Sequence, residues 1–226
     1  MLINIDGKNI VSVETKLNFR GKLDYILNVL QESSKNFSAD VVEIEEKYYD
    51  ELGIDLIDLS NEDYEFHQSH VETLKHDAKH FPQILYKSML VSSYSVFETT
   101  MTDIKINLEK QVVRKIKYKH LKSVGSEIEN IFNFLDVVHD NTFSELLMEL
   151  AKLKDYGELR NIIVHKNGSI KQEDISTKNR IKKIIQNEEN IKIDGAENLE
   201  LSKEFVESYI SFLKKTGEQI FASLSI

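Results

Sequence analysis

The sequence predicts an all-α protein, a helical bundle that carries one or two small β-hairpins. The 226 residues include one Pro and eight Gly, which is few for a turn-rich β fold and favours long uninterrupted helices. Several long segments repeat apolar residues at every third or fourth position, which is the spacing of one helix face. Only two short stretches alternate apolar and polar residues around an Asp-Gly pair, as hairpins do.

The first 60 residues are predicted to form an accessory segment that packs on the core. Asp6-Gly7 lies between two β-branched stretches, and Gly53 follows the last apolar position of an acidic helical pattern. The predicted elements are a hairpin of residues 2–5 and 10–15, an amphipathic helix over residues 17–31 and an acidic helix over residues 41–52.

The main helical domain is predicted to span residues 61–226. Residues 61–80 are polar and rich in His, and Pro82 then indicates that a helix ends there or restarts with Pro in its first turn. Residues 84–108 form the most apolar helical pattern of the chain. Because their apolar residues occupy two faces, we expect a central helix with neighbours on both sides.

The second half of the chain continues this helical pattern. A helix that begins near Asn141 or Thr142 is expected to run to about His165 and to stop at Asn167-Gly168. Ser202 is a predicted N-cap for the final helix. The other predicted elements are an amphipathic helix over residues 127–138, a hairpin of residues 191–193 and 199–201, and a final helix with Phe205, Tyr209, Phe212 and Leu213 facing inward.

Composition excludes several classes of function. The net charge of −9 argues against binding nucleic acid or membranes through bulk charge, so any RNA contact must be local. The chain has no Cys, which excludes disulfide frameworks, thiolate zinc sites and cysteine nucleophiles. No apolar run reaches the ~18–20 residues of a membrane span, and the N-terminus does not resemble a signal peptide. We therefore expect a soluble, cytoplasmic protein that makes no membrane contact.

The most informative stretch is the end of the helix that stops at Asn167-Gly168. An advance of about 100° per residue from Leu146 places Arg160, Asn161 and His165 on or beside the apolar side, so all three are expected to point toward other protein. An Arg is rarely buried unless it is paired, so we expect Arg160 to have either a charged partner or a role in function. Gly157 lies on the same line, and a Gly inside a helix suggests that another helix approaches closely there.

At Arg160-Asn161-x-x-x-His165 the chain resembles the HEPN superfamily of small helical proteins. Many ribonucleases of that superfamily carry an Arg-x(4–6)-His motif at the end of a core helix, often with a polar residue after the Arg. The resemblance extends to the preceding helix of the domain, which here corresponds to residues 81–104 with Ser88, Tyr94, Phe97 and Glu98. Some relatives paired with a nucleotidyltransferase antitoxin have a Tyr two residues after the His. Asn167 stands there in this chain, so regulation through such a Tyr is not supported.

The resemblance implies a metal-independent endoribonuclease without cofactors that leaves a 2′,3′-cyclic phosphate. It also implies a homodimer with a composite active site, and a toxin or host-defence effector with a possible antitoxin or defence-system partner protein. The residue types suit this chemistry, since a His moves protons near neutral pH and an Arg binds phosphate oxygens through two parallel hydrogen bonds. Arg160 and His165 would be catalytic, and Asn161 and Glu98 would support them. The plain alternative is that Arg160 pairs with a buried acid such as Glu98.

A basic run follows the central helix and contains no acid. It is the best candidate for holding an RNA backbone, although a solvated surface is an equally good interpretation. Tyr118 within it could stack on a base. The candidate RNA-binding residues are Arg114, Lys115, Lys117, Lys119 and Lys122, and a smaller cluster is formed by Lys178, Arg180, Lys182 and Lys183.

Two other functional classes remain open. A HEPN-like domain can be a non-catalytic module that binds nucleotides or proteins. A metal hydrolase would use His67, His70, His76 and His80, of which His76 and His80 have the i, i+4 spacing of a chelating pair. Helical geometry places the first two histidines nearly opposite the last two, and no third ligand is clearly placed. We therefore predict no metal site.

Overall fold

The structure is a computed structural model that describes residues 11–35, 43–54, 59–111, 118, 121, 123, 125–138 and 144–224. The prediction of an all-α bundle with a small hairpin is confirmed. In chain order the elements are α1 (Val13–Lys35), α2 (Glu43–Leu52), α3 (Asn61–Gln111), α4 (Glu127–Val138), a 3₁₀ turn (Ser144–Leu146), α5 (Leu147–Lys166), α6 (Ile175–Gln186), β1 (Ile191–Ile193), β2 (Leu199–Leu201) and α7 (Lys203–Ser223).

Helix α3 is the central element of the bundle. Its side chains Leu90, Phe97, Met101, Ile104 and Leu108 have no exposed surface, and the helix packs against α1, α4, α5 and α7. Apolar residues on two faces therefore have neighbours on both sides, as the pattern predicts.

The predicted break at Pro82 is wrong, because α3 continues through it as one helix. A Pro inside a helix removes one backbone hydrogen bond and costs about 3 kcal/mol or more. Contacts on both sides of Pro82 offset this cost. On the N-terminal side α2 is bound through a Lys75–Glu45 ion pair of 2.7 Å. On the C-terminal side the Gln83 amide donates to the carbonyl oxygen of Leu201 at 2.8 Å and accepts from its N–H at 2.9 Å.

Helix α1 begins earlier than expected. Residues 13–15 form its first turn instead of the predicted second strand, because the Ser12 hydroxyl caps the helix by accepting from the Thr15 N–H at 3.0 Å. The other predicted strand, residues 2–5, and residue 10 of the second strand lie outside the described residues, and residues 11 and 12 are not in a strand.

Helix α1 also shares the main core. Phe19 packs edge-on against Phe97 of α3 and Phe221 of α7, with ring centroids 6.1 and 5.3 Å apart. A Cβ on Gly217 would lie 2.4 Å from the Phe19 ring, so α7 provides space for that ring by carrying a Gly. The segment before residue 61 therefore packs on the bundle through α1, while the predicted domain boundary stays a prediction.

The C-terminal elements agree closely with their local signals. Strands β1 and β2 pair antiparallel, with Ile191 opposite Leu201 and Ile193 opposite Leu199. The Ser202 hydroxyl accepts from the N–H of Phe205 at 3.1 Å and caps α7. Helix α4 has the predicted bounds. Among the described residues, no helix is long and apolar enough to cross a membrane.

Helix α6 is an element that the sequence analysis did not predict. Its start has a clear signal, because the Asp174 carboxylate accepts from the Thr177 N–H at 2.8 Å. Its inward residues are only Ile181 and Ile184, which makes the apolar pattern short. The basic residues of the segment obscured this pattern.

Candidate active site

Helix α5 carries the Arg160–His165 stretch and ends where predicted. Asn167 adopts a left-handed conformation with φ of 52°, and Gly168 follows with φ of 85°. The N–H groups of both residues bond to the carbonyl oxygen of Ile162 and close the last turn. The predicted start at Asn141 or Thr142 lies outside the described residues, and the helix begins after a 3₁₀ turn.

The expectation that all three motif residues point inward is wrong. The buried face of α5 is formed by Leu153, Tyr156, Leu159, Ile162 and Ile163, about a quarter turn from the predicted stripe. Asn161 and His165 are exposed, and Arg160 is half-buried at the edge of the buried face. The error came from counting Leu150 and Val164 as inward, because Leu150 is only half-buried and Val164 is exposed.

Gly157 marks the predicted close approach, and that prediction is confirmed. A Cβ at this position would lie 2.7 Å from the hydroxyl oxygen of Tyr94, which is shorter than an ordinary contact. The Tyr94 hydroxyl reaches across to α5 and donates to the carbonyl oxygen of Leu153 at 3.4 Å. The missing side chain at Gly157 therefore lets α3 and α5 pack tightly one turn before Arg160.

Arg160 makes no ion pair in the described part of the chain. One of its terminal nitrogens, Nη1, donates to the Asn161 side-chain oxygen at 3.1 Å. Its Nε is fully buried and has no hydrogen-bond partner. The ion pair with Glu98, which would give Arg160 a purely structural role, is not formed. Asn161 thus orients a guanidinium group that makes no ion pair with a carboxylate of the described residues.

Glu98 and Arg160 make no ion pair, but their charges act on the same two tyrosines. Burial raises the pKa of Tyr94 well above its usual range, the charge of Glu98 raises it further, and the charge of Arg160 opposes the shift. The same two charges act on the buried Tyr209, whose pKa is also raised, chiefly by burial. Arg160 and Glu98 therefore lie close to the same pair of tyrosines on α3 and α7, without direct contact between the two charged groups.

His165 lies in the exposed last turn of α5. In the described part of the chain it makes no hydrogen bond, ion pair or ring contact. It lies five positions after Arg160, which corresponds to about 140° around the helix and about 7.5 Å along its axis. The structure thus brings Arg160 and Asn161 together, while His165 stands apart on the surface.

A groove between α3 and α5 adjoins these residues and has a volume of about 550 Å³. Ile163, Val164 and Asn167 form its α5 side, one and two turns beyond Arg160. Lys87 of α3 lies in it, with its Nζ 3.5 Å from the carbonyl oxygen of Asn167. Sequence reasoning missed Lys87. The only available signal was its position seven residues before Tyr94, which puts both residues on one side of α3.

The predicted RNA-binding residues Arg114, Lys115, Lys117, Lys119 and Lys122 lie outside the described residues. Tyr118 is described, and it is not available to stack on a base. Its hydroxyl donates to a carboxylate oxygen of Glu127 at 2.7 Å, and the Lys105 ammonium lies 4.2 Å from its ring centre. In the smaller basic cluster, ion pairs of 2.9 and 2.8 Å join Lys178 to Glu197 and Arg180 to Glu158.

The histidines of α3 have separate surroundings. Tyr48 of α2 shares a hydrogen bond of 2.9 Å with the Nδ1 of His67, and its ring lies 5.4 Å from that of His70. The rings of His76 and His80 lie 4.1 Å apart on the surface. Nowhere in the described ranges do three or more His, Asp or Glu side chains converge as a metal site requires.

Searches against protein-family models, curated proteins and solved structures found no match to this chain.

Proposed function

We propose that the protein is a metal-independent endoribonuclease of the HEPN type, acting as a toxin or as a host-defence effector against phage. The observation that carries the proposal is the state of Arg160. It is a half-buried cation, oriented by Asn161 and free of any acidic partner in the described part of the chain, in an acidic protein. Such a group suits an anionic substrate better than it suits the packing of the bundle.

The reaction follows from the chemistry of the two residues. The RNA 2′-hydroxyl attacks the adjacent phosphorus, the bond from phosphorus to the 5′-oxygen breaks, and a 2′,3′-cyclic phosphate and a 5′-hydroxyl result. The 2′-hydroxyl loses a proton and the leaving 5′-oxygen gains one, and His165 carries out one of these two transfers while water exchanges the other proton. Arg160 binds the phosphate oxygens as their negative charge grows. Neither role requires a metal or a cofactor.

A homodimer with a composite site fits the separation of these residues. Because Arg160 and His165 lie on different sides of α5, one copy alone does not direct both at one phosphate. His165 and Val164 are exposed in the last turn, where the motif of a second copy can reach them. A pair of α5 helices would then place Arg160 of one copy beside His165 of the other.

The test is incubation of the protein with total RNA or tRNA in the presence of EDTA. We expect cleavage by the wild type, loss of cleavage in His165→Ala, and products that end in a 2′,3′-cyclic phosphate by mass spectrometry. His70→Ala is the matched control, because His70 is also exposed but lies on the distant N-terminal half of α3. Cleavage that survives His165→Ala, or that EDTA abolishes, contradicts the proposal.

A non-catalytic interaction module is the second candidate. Two apolar side chains beside the motif favour it, since Ile84 is 60% and Val164 is 45% exposed. On this alternative no RNA is cut. His165→Ala then has no effect, whereas Ile84→Asp abolishes binding of a partner protein such as an antitoxin or a defence-system component.

A further inference from the structure

The groove between α3 and α5 runs from Lys87 toward Arg160. The two helices are antiparallel, because Lys87 lies against Gly168 at the end of α5 and Tyr94 lies against Gly157 farther back. Along α5, Asn167 and Arg160 are two turns apart on one side, which is about 10 Å. Lys87 therefore lies inside the groove, and Arg160 lies about one turn beyond its α5 wall on the same side of the helix.

The groove wall between these cations is neutral and offers hydroxyl groups. Ser88 and Ser92 of α3 line it, and in the described part of the chain their hydroxyls make no hydrogen bond. Nearby hydroxyls behave differently, since those of Ser93 and Ser95 donate to backbone carbonyl oxygens one turn earlier, at 2.7 and 2.9 Å. The two groove hydroxyls are thus available to a ligand.

Lys87 is held in place without being neutralised. Its ammonium contacts the carbonyl oxygen of Asn167, and no carboxylate of the described chain lies within ion-pair distance. Burial lowers the pKa of Lys87. The negative charges of Asp194 and Glu200, both in the β1–β2 hairpin, oppose that shift. A half-buried cation with no ion-pair partner among the described residues is suited to binding an anion, since a buried charge is stabilised by a partner of opposite charge.

We propose that this groove binds a single strand of RNA, with Lys87 holding the phosphate that neighbours the one held at Arg160. This inference rests on the proposed function and extends it to the placement of the substrate. The Ser88 and Ser92 hydroxyls contact oxygens of the ribose that joins the two phosphates. Ile84 supplies the apolar surface for the sugar and base. Lys87 is a positioning residue and takes no part in proton transfer.

The experiment measures binding of a fluorescent single-stranded RNA oligonucleotide by His165→Ala protein at a series of salt concentrations. Each phosphate contact contributes about 0.7 to the slope of log K against log salt for single strands. Adding Lys87→Gln should reduce that slope by about this amount and weaken binding several-fold at low salt. Lys87→Arg, which keeps the charge, should restore the slope. Lys215→Gln is the matched control, because Lys215 is exposed on α7 away from the groove.

The possible failures are distinct. An unchanged slope in Lys87→Gln, while the wild type cleaves RNA, overturns this inference alone. A wild type that neither binds nor cleaves RNA overturns both proposals. A shift between monomer and dimer with an unchanged slope means that a second copy occupies the groove, and it also overturns the inference. If Lys87→Gln fails to fold, Ser88→Ala with Ser92→Ala replaces it, and unaltered RNA affinity then counts against the groove.

Discussion

Replacing Arg160 by Met separates a functional role of this residue from a structural one. Met keeps an unbranched apolar stem of similar length but carries neither charge nor donors. If Arg160 were paired with a buried carboxylate, the substitution would leave that charge uncompensated and would cost about 3–5 kcal/mol. The structure predicts a much smaller change, because Arg160 has no such pair in the described chain.

The expected magnitude follows from two contacts. The variant loses the Arg160–Asn161 hydrogen bond at the surface, which contributes about 0.5–1.5 kcal/mol. It also removes the buried Nε–H group that has no acceptor, and such a group costs about 1–3 kcal/mol. The free energy of unfolding should therefore lie between about 0.5 kcal/mol below and about 2.5 kcal/mol above that of the wild type. RNA cleavage should fall by about 10²- to 10³-fold, the usual effect of removing one donor to a developing oxyanion.

Urea unfolding followed by circular dichroism and RNA cleavage should be measured on the same preparation of Arg160→Met. If the free energy of unfolding falls by about 3 kcal/mol or more, which is the cost of breaking a buried ion pair, then Arg160 supports the fold. Cleavage at the wild-type rate would remove Arg160 from the site. Only a stable but inactive variant agrees with the reasoning.

Other substitutions test the packing that positions the site. Gly157→Ala should lower the free energy of unfolding by about 1–2 kcal/mol, because its Cβ meets the Tyr94 hydroxyl at 2.7 Å. The matched control Gly21→Ala, where no atom lies within 4 Å of the new Cβ, should raise it by about 0.5–1 kcal/mol. If urea unfolding shows that both substitutions raise the free energy of unfolding equally, the close approach of α3 and α5 is contradicted. In a Tyr94→Phe background, Gly157→Ala should lower the free energy of unfolding by less. Ser202→Ala should cost about 1 kcal/mol through loss of the α7 cap, and an unchanged Tm by calorimetry would count against that cap.

Local signals in the sequence determined much of the fold. The pairing of residues 191–193 with 199–201, the cap at Ser202 and the stop at Asn167-Gly168 depend on a few neighbouring residues, and each was found where predicted. The assignment of Arg160 and His165 to an active site rests on a family resemblance and stays a prediction. The hairpin, the α7 cap and the end of α5 could be predicted because turn and cap preferences act over a few residues.

Features that depend on distant contacts were decided by the tertiary structure. Helix α3 continues through Pro82 because α2 and β2 hold it on both sides, and no local pattern contains those contacts. The rotation of α5 about its axis is set by packing on α3 and α7, which buries Tyr156 and leaves Val164 exposed, so the apolar spacing alone did not show which side is buried. That rotation leaves Arg160 half-buried and His165 exposed. Lys87 enters the groove beside them only because α3 and α5 are antiparallel, an arrangement between residues roughly eighty positions apart that no single stretch of sequence encodes.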